Sequence, residues 1–462
     1  MTTHTGASFR SFRPLVAFQA ALLSILIQGC DTDPEVTNHQ SNRQSDGGPG
    51  QNSGETQTIP EPAAPRQWWE LGMADPILDQ VLLFYLGEAW QGATDTAECL
   101  ETVARVDATD PYSWQREWRK TAERLGAVAE SSERANHLLS AGQAYLRAAS
   151  YYRAALHRHP NPSDNAVREM TELEVRMFTK YLSLSDSRGE AVQIPYENTT
   201  LPGYFFHSRL AQGNAPVVIV HEGRDAWAED TKYLVDAALA RGYHALAFDG
   251  PGMGKVIRTQ GLPFRHDWEN VITPVVDYVV RQPGVDPQRV ALIGLSMGGY
   301  LAPRAAAFEH RLKLVVANPG VFDWGEIVRN FLLGLDPELE SLLQVDSVAF
   351  DRRMAELQTA NPMLRWALPD QQWHHGVTSP FALVKEMEKY TLRDVVGQIG
   401  SRMLVVDAEA EEYGQARVLY EALPGAKDYL LFTAAEAAQF HVQVGATAIG
   451  SARIFDWIET HL

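Results

Sequence analysis

The spacing of hydrophobic residues along the chain changes near Ala191. Before it, apolar side chains recur at three- and four-residue intervals. Between Ser140 and His157, Ala141, Ala144, Tyr145, Ala148, Tyr151, Tyr152 and Ala155 share one helix face, and Asn165–Leu184 repeats the amphipathic pattern. No strand pattern interrupts Trp68 to Ser185. After Ala191 come short apolar runs of strand length: Ala191–Pro195, Gly203–His207, Val217–His221, His244–Asp249, Val290–Gly294, Leu312–Ala317, Met403–Asp407 and Tyr429–Thr433. Helical stretches separate most of them, at Ala226–Arg241, Trp268–Val280, Gly298–Phe308 and Gln415–Leu423, and Thr447–Leu462 closes the chain. Apolar strands alternating with helices predict an α/β fold with a mostly parallel, eight-stranded sheet covered on both faces. The first two runs have no helix between them and predict an antiparallel hairpin at the sheet edge. Residues 321–397 are helical in pattern and predict an insertion over the carboxyl ends of the strands, where open α/β sheets place their sites. The domain reading is a helical cap over 67–187 and a catalytic part over 188–462. Ser140–His157 also looks like one helix of a tetratricopeptide repeat, but no second copy follows at the repeat period, so its tyrosines are read as core.

The amino terminus has a different texture. Arg10 and Arg13 precede a nearly continuous apolar run, Pro14–Ile27, too short for a comfortable membrane span. Ile27-Gln28-Gly29-Cys30 then resembles a lipoprotein processing site, with Gln28 in place of the usual small residue. Residues 1–29 are read as a signal peptide, Cys30 as the lipidation site, and 30–66, rich in Asn, Gln, Ser, Gly and Pro, as a disordered tether. The expected location is extracytoplasmic, with membrane contact through the lipid anchor only. An ordinary secretory signal, or a misassigned start that would leave the chain cytoplasmic, are the alternatives.

The 462 residues carry a formal charge of −18, which excludes the basic face that nucleic-acid binding needs. Two cysteines are present, Cys30 and Cys99, so removal or lipidation of the first leaves no intramolecular disulfide. Cys99 reads as a buried small hydrophobe. The expected partner is a small-molecule substrate.

Gly294-Leu295-Ser296-Met297-Gly298 joins an apolar strand to an Ala-rich helix. A serine hydroxyl attacks a carbonyl at neutral pH only if it is exposed, has a base in reach and an oxyanion site beside it. A strand–turn–helix elbow exposes it, and side chains at the flanking glycines would collide across the turn. Chain order then requires an acid and, after it, a histidine. His441, in the loop after the last strand, is the candidate base; His461 ends the final helix. Glu411 is the candidate acid because it lies in the loop beyond the seventh strand, and Asp407 is the alternative. The oxyanion donors are assigned to Met297 N–H and to Gly223 or Arg224 in the loop after the third strand. His221 closes that strand and reads as structural. Asp249-Gly250-Pro251-Gly252-Met253-Gly254-Lys255 fails the phosphate-loop test, since Val256 follows the lysine and the glycine spacing is wrong; it is read as shaping the pocket. His374-His375 and His157-Arg158-His159 lack carboxylates at metal-ligand spacing, so no metal and no cofactor are expected.

Together these residues resemble the α/β-hydrolase superfamily over roughly Ala191–Leu462. Asp249–Gly254, Gly261-Leu262-Pro263-Phe264-Arg265, Gly298-Gly299-Tyr300-Leu301-Ala302-Pro303-Arg304 and Ala141–Ala148 look like the branch of 2,6-dihydroxypseudooxynicotine hydrolase and the fermentation-respiration switch esterases. The resemblance implies an α/β-hydrolase fold with a helical segment before it. It also implies cleavage of an ester, or of a carbon–carbon bond beside a ketone, with Glu411 standing where the branch carries aspartate. The activity expected is ester or acyl cleavage through an acyl-enzyme. Carbon–carbon hydrolysis of a β-diketone-like substrate, acyl-peptidase activity and a catalytically silent binding lipoprotein are the alternatives.

Overall fold

A computed structural model of the protein describes residues 69, 71–73, 76–157, 159–186 and 189–462. The signal peptide, Cys30 and the tether lie outside the described residues. Among the described residues, no helix is long and apolar enough to cross a membrane.

The amino-terminal region is helical: α1 (Pro76–Gly87), α2 (Thr96–Val103), α3 (Ser113–Arg134), α4 (Leu138–Leu156) and α5 (Asn165–Leu184). Aspartates start two of them. Asp95 accepts from the Ala97 and Glu98 N–H groups ahead of α2, and Asp164 from Ala166 ahead of α5, each cap contributing about 1 kcal/mol. Tyr145, Tyr151 and Tyr152 of α4 are all buried, as core packing requires, and so is Cys99.

Then follow β1 (Gly189–Tyr196), β2 (Thr199–Phe206), β3 (Ala215–His221), β4 (His244–Phe248), β5 (Val285–Leu295), β6 (Leu312–Asn318), β7 (Arg402–Ala408) and β8 (Lys427–Phe432). They form an eight-stranded sheet in the order β1-β2-β4-β3-β5-β6-β7-β8. The expected edge hairpin is present: β1 pairs antiparallel with β2, and from β4 to β8 every pairing is parallel. The helices between are α6 (Lys232–Ala240), α7 (Glu269–Val279), α8 (Gly298–Ala306), α14 (Ala416–Ala422) and α15 (Thr447–His461). Between β6 and β7 lie α9 (Trp324–Leu335), α10 (Glu338–Val345), α11 (Ser347–Ala360), α12 (Pro362–His374) and α13 (Pro380–Met387), filling the region read as an insertion.

Each central strand is apolar throughout because it faces two cores. Val217 and Ile219 of β3 pack on the side of α7, α8 and the insertion. Val218 and Val220 pack on the side of α6, α15 and the amino-terminal helices. One expected helix, Ala226–Arg241, is broken: Ala228–Thr231 is a 3₁₀ turn and α6 begins only at Lys232. Asp230 is the reason. Its carboxylate accepts from Trp227 N–H at 3.0 Å and from Arg153 Nε at 2.6 Å, which pins the turn before the helix starts.

Arg153 locks the two halves together. Its side chain is 1 % exposed and reaches from α4 to Glu174 of α5 at 2.7 Å and to Asp230 at 2.6 Å. Further buried acids crowd this region. Glu88 is pushed up to about 8, by burial and then by the charge of Asp230, against the pull of Arg153 and Lys232. Asp249 is pushed up to about 7, by burial and then by Glu229. Arg153, with Lys232 and Arg258 near it, does not offset the burial of all these carboxylates, so some stay protonated in the fold.

This arrangement fixes a pH dependence. An unfolded carboxyl ionises near pH ~4. A raised folded pKa means the native state keeps protons that the unfolded chain has lost, so its stability is full at acid pH and is lost as pH rises through the folded value. The buried neutral histidines act elsewhere. His157 is pushed down to about 3 and His221 to about 4 by burial, so their contribution is lost only as pH falls below the ordinary histidine range. The melting temperature should therefore fall between pH 7 and pH 8.5, and Glu88→Gln should shrink that fall. Thermal melts of both proteins at the two pH values check this, and a wild-type melting temperature that rises over the interval contradicts the protonated cluster.

Candidate active site

Strand β5 passes into α8 through Ser296, whose φ is 57°. A non-glycine residue there costs roughly 1–3 kcal/mol and persists only where its surroundings impose it. Ser296 N–H donates to the Asn318 carbonyl of β6 at 2.7 Å. Glycines clear the turn: a Cβ on Gly294 would stand 2.2 Å from the Gly298 carbonyl oxygen, and one on Gly299 1.7 Å from that of Pro319. Gly298 is less constrained, its nearest clash being His221 Cε1 at 3.1 Å.

The structure brings Ser296, His441 and Glu411 together. Ser296 Oγ lies 3.0 Å from His441 Nε2, and His441 Nδ1 lies 2.9 Å from Glu411 Oε2. Glu411 is almost fully buried, at 2 % exposure. Its other oxygen accepts from the Glu412 and Tyr413 N–H groups at 3.0 and 3.2 Å, which aims the carboxylate at the imidazole. Asp407 points elsewhere. It lies inside β7 and accepts from the Tyr429 hydroxyl and the Ala408 N–H, and burial pushes it up to about 6. His441 is held by its own turn, in which Val442 and Gln443 have φ of 47° and 55°. Asn318 Nδ2 donates to Gln443 Oε1 at 2.8 Å, and Gln443 Nε2 returns a bond to Asn318 Oδ1 at 3.3 Å.

Gly223 passes beside the elbow. A Cβ there would fall 2.6 Å from Met297 N and 2.8 Å from Ser296 Cβ, so only glycine lets the β3 loop run next to the Met297 N–H. His221 is fully buried, with Nδ1 2.9 Å from the Glu222 carbonyl and its ring against Trp268 and Phe248. Tyr413 was not foreseen from the sequence. Its hydroxyl lies 3.4 Å from Ser296 Oγ and 3.4 Å from His441 Nε2, and its ring packs on Trp324 and His441. Burial, and next the Glu411 charge, raise its pKa, so it stays a hydrogen-bond donor.

A cavity of about 240 Å³ opens onto these residues. Its walls include Val81 and Phe84 of α1, Trp366 and His374 of α12, and the β3 loop. The glycine-rich segment 249–255 does not line this cavity, contrary to expectation. Gly250 and Gly252 instead press against Trp268 and Phe264, and the wall is reached only by Arg258, in the π-helical turn Val256–Gln260 that follows. His374 also has acidic neighbours, and one was visible in the sequence: Asp370 stands four residues before it, contrary to the expectation that no carboxylate lies at metal-ligand spacing. Ligand atoms of Asp225, Asp370 and His374 lie within 4.8 Å of one another. His374 Nδ1 is taken by the Gly252 carbonyl at 2.8 Å, and Arg258 adds positive charge beside the group.

Residues 217–447 match the model of the alpha/beta hydrolase family. The chain belongs to the α/β-hydrolase family. This α/β-hydrolase is 31 % identical over 399 residues to hydrolase LUC6 of a Fusarium species, spanning 81 % of this chain and 94 % of that protein. It is 30 % identical over 391 residues to 20-hydroxy-prefusarin hydrolase FUS2 of Gibberella moniliformis, at 80 % and 93 % coverage. In three dimensions it is similar to 2,6-dihydroxy-pseudo-oxynicotine hydrolase, with a TM-score of 0.64 and 18 % identity over 81 % of this chain and 95 % of that one. That similarity extends over the amino-terminal helices as well as the sheet, and it concerns the fold.

The two carboxylates can be told apart by kinetics. An acid that orients a catalytic histidine sets its tautomer, and its amide costs about 10⁴ in kcat in a protease triad. Glu411→Gln should show a loss of that order with KM little changed. Asp407→Asn, whose bonds go to Tyr429 and Ala408, should stay within about tenfold of wild type. Steady-state kinetics on both variants check the assignment, and the reverse pattern would move the acid to Asp407.

Proposed function

We propose that this α/β-hydrolase cleaves an ester or similar acyl bond by a Ser296–His441–Glu411 triad through an acyl-enzyme. The observation that carries this reading is the unbroken chain from Ser296 Oγ through both ring nitrogens of His441 to Glu411, at 3.0 and 2.9 Å. Ser296 Oγ attacks the carbonyl carbon while His441 Nε2 takes its proton. The imidazolium is stabilised by Glu411. The carbonyl oxygen, now negative, accepts from Met297 N–H and from the β3 loop. Within that loop the second donor is the N–H of Gly223 or of Arg224. His441 returns the proton to the leaving group, and the same residues direct water onto the acyl-serine.

A fluorophosphonate should attach to Ser296, as read by mass spectrometry of the digested protein. Ser296→Ala should take no label and should lose turnover of 4-nitrophenyl esters by about 10⁴ or more, with an unchanged melting temperature. A wild-type protein that is folded but unlabelled would remove the serine mechanism.

The amino-terminal pattern supports an extracytoplasmic, lipid-anchored location. Growth with a fatty-acid analogue should label the wild type and not Cys30→Ser. Label absent from the wild type would leave the anchor without support.

A further inference from the structure

A guanidinium carries five N–H donors and a charge that does not titrate away. Inside a protein that charge costs several kcal/mol unless it is paired and its donors are satisfied. Arg153 shows the ordinary solution in this fold, with two carboxylates at 2.6 and 2.7 Å. Arg224 does not. Its side chain is 6 % exposed and forms part of the cavity wall. Among the described residues its nearest carboxylate oxygen is Asp225 Oδ1, 4.0 Å away and out of hydrogen-bond reach, on a side chain 58 % exposed to water. Arg258 lines the same wall and differs in having the charges of Asp370, Asp249 and Asp225 near it. It donates to the Gly254 carbonyl at 2.9 Å and stacks on Trp227 at 4.2 Å, while its Nε is buried with no partner among the described residues.

A surface arginine would be exposed, and a structural one would be paired. Arg224, with no carboxylate of the described residues in hydrogen-bond reach and its side chain in the wall of the cavity that holds Ser296, fits a third use, and Arg258 stands in the same wall. We propose that Arg224, assisted by Arg258, binds a carboxylate on the acyl part of the substrate, so that the enzyme acts on acyl groups bearing a second, anionic terminus. This deepens the serine-hydrolase reading and rests on it. The placement on the acyl side follows from the elbow. His441 Nε2 and the Tyr413 hydroxyl flank Ser296 Oγ where a leaving group must depart, whereas Arg224 follows Gly223, which abuts Ser296 Cβ. A carboxylate offers the two coplanar oxygens that a guanidinium fork matches. Glu222, Asp225, Asp370, Glu411 and Glu412 also line the cavity, so a carboxylate is disfavoured anywhere but on the arginines.

The test uses the full chain and two fluorophosphonates of equal chain length, one ending in a carboxylate and the other in a carboxamide. Both react by losing fluoride as a bond forms to Ser296 Oγ, so the ratio of their second-order rates isolates recognition of the distant end. The wild type should prefer the carboxylate probe tenfold or more. Arg224→Gln, which keeps the backbone N–H, should bring the ratio near one, and Arg224→Lys should retain part of it. The rate with the carboxamide probe reports whether each variant still has a working site. A wild-type ratio of one or below, or a preference that survives in Arg224→Gln, overturns the carboxylate subsite and leaves the serine mechanism standing. If neither probe attaches to Ser296 in the wild type, both readings fall together.

Discussion

Asn318 is the point on which the catalytic geometry hangs. It ends β6, directly opposite Leu295 at the end of β5. Its carbonyl accepts the Ser296 N–H, and its side-chain amide exchanges two hydrogen bonds with Gln443. One residue therefore fixes both the elbow and the turn that carries His441. The need for such a fixture is energetic. Ser296, Val442 and Gln443 all occupy left-handed backbone conformations, each costing roughly 1–3 kcal/mol. A net hydrogen bond returns only about 1 kcal/mol. The strain must be carried by the buried parallel sheet, whose register sets where Asn318 stands relative to Ser296.

The amino-terminal helices belong to the same mechanical unit. Arg153 and its two carboxylates bridge α4, α5 and the turn before α6. That turn follows the loop of Gly223 and Arg224, so the bridge that docks the helices also steadies the loop that runs beside Ser296. The helices in turn supply Val81 and Phe84 to the cavity. Loosening the bridge would widen the pocket and disturb the elbow's neighbours together. Arg224 contrasts with it, since its guanidinium has no carboxylate of the described residues within hydrogen-bond reach.

What could be read from the sequence was whatever a local pattern encodes. The central strands were legible because strands buried on two faces are apolar without a break, whereas β1, alternately buried and exposed, and half-buried β8 were legible as runs of strand length; the elbow was legible because its glycines answer to clashes within a few residues. Glu411 could be favoured over Asp407 because a loop carboxylate can turn and one inside a strand cannot, and its distance to His441 agrees with that placement. Tyr413 could not be found this way. It meets Ser296 117 positions away, and no spacing rule marks a tyrosine after an acidic run as a neighbour of the nucleophile. The Asn318–Gln443 exchange, across 125 positions, was hidden for the same reason. The broken helix at Ala226–Arg241 escaped notice because its cause, Arg153 pulling on Asp230, lies across the interface between the two halves.

The site thus divides into two parts with different tolerances. Ser296 and Glu411 lie just beyond β5 and β7 and His441 lies in a turn after β8, and the proposed reaction needs their geometry held within fractions of an ångström. Much of the cavity wall comes from α1 and α12, elements outside the sheet. Substitutions in those walls can change which acyl group is admitted while the elbow and its histidine stay in place. A substitution at Gly294, Gly299 or Gly223 cannot, because the atoms it would strike belong to the backbone that positions Ser296. Relatives that keep this sheet and differ along α1 and α12 should therefore share a reaction and differ in substrate, and Arg224 occupies the position between the two parts, its N–H beside the elbow and its guanidinium in the wall.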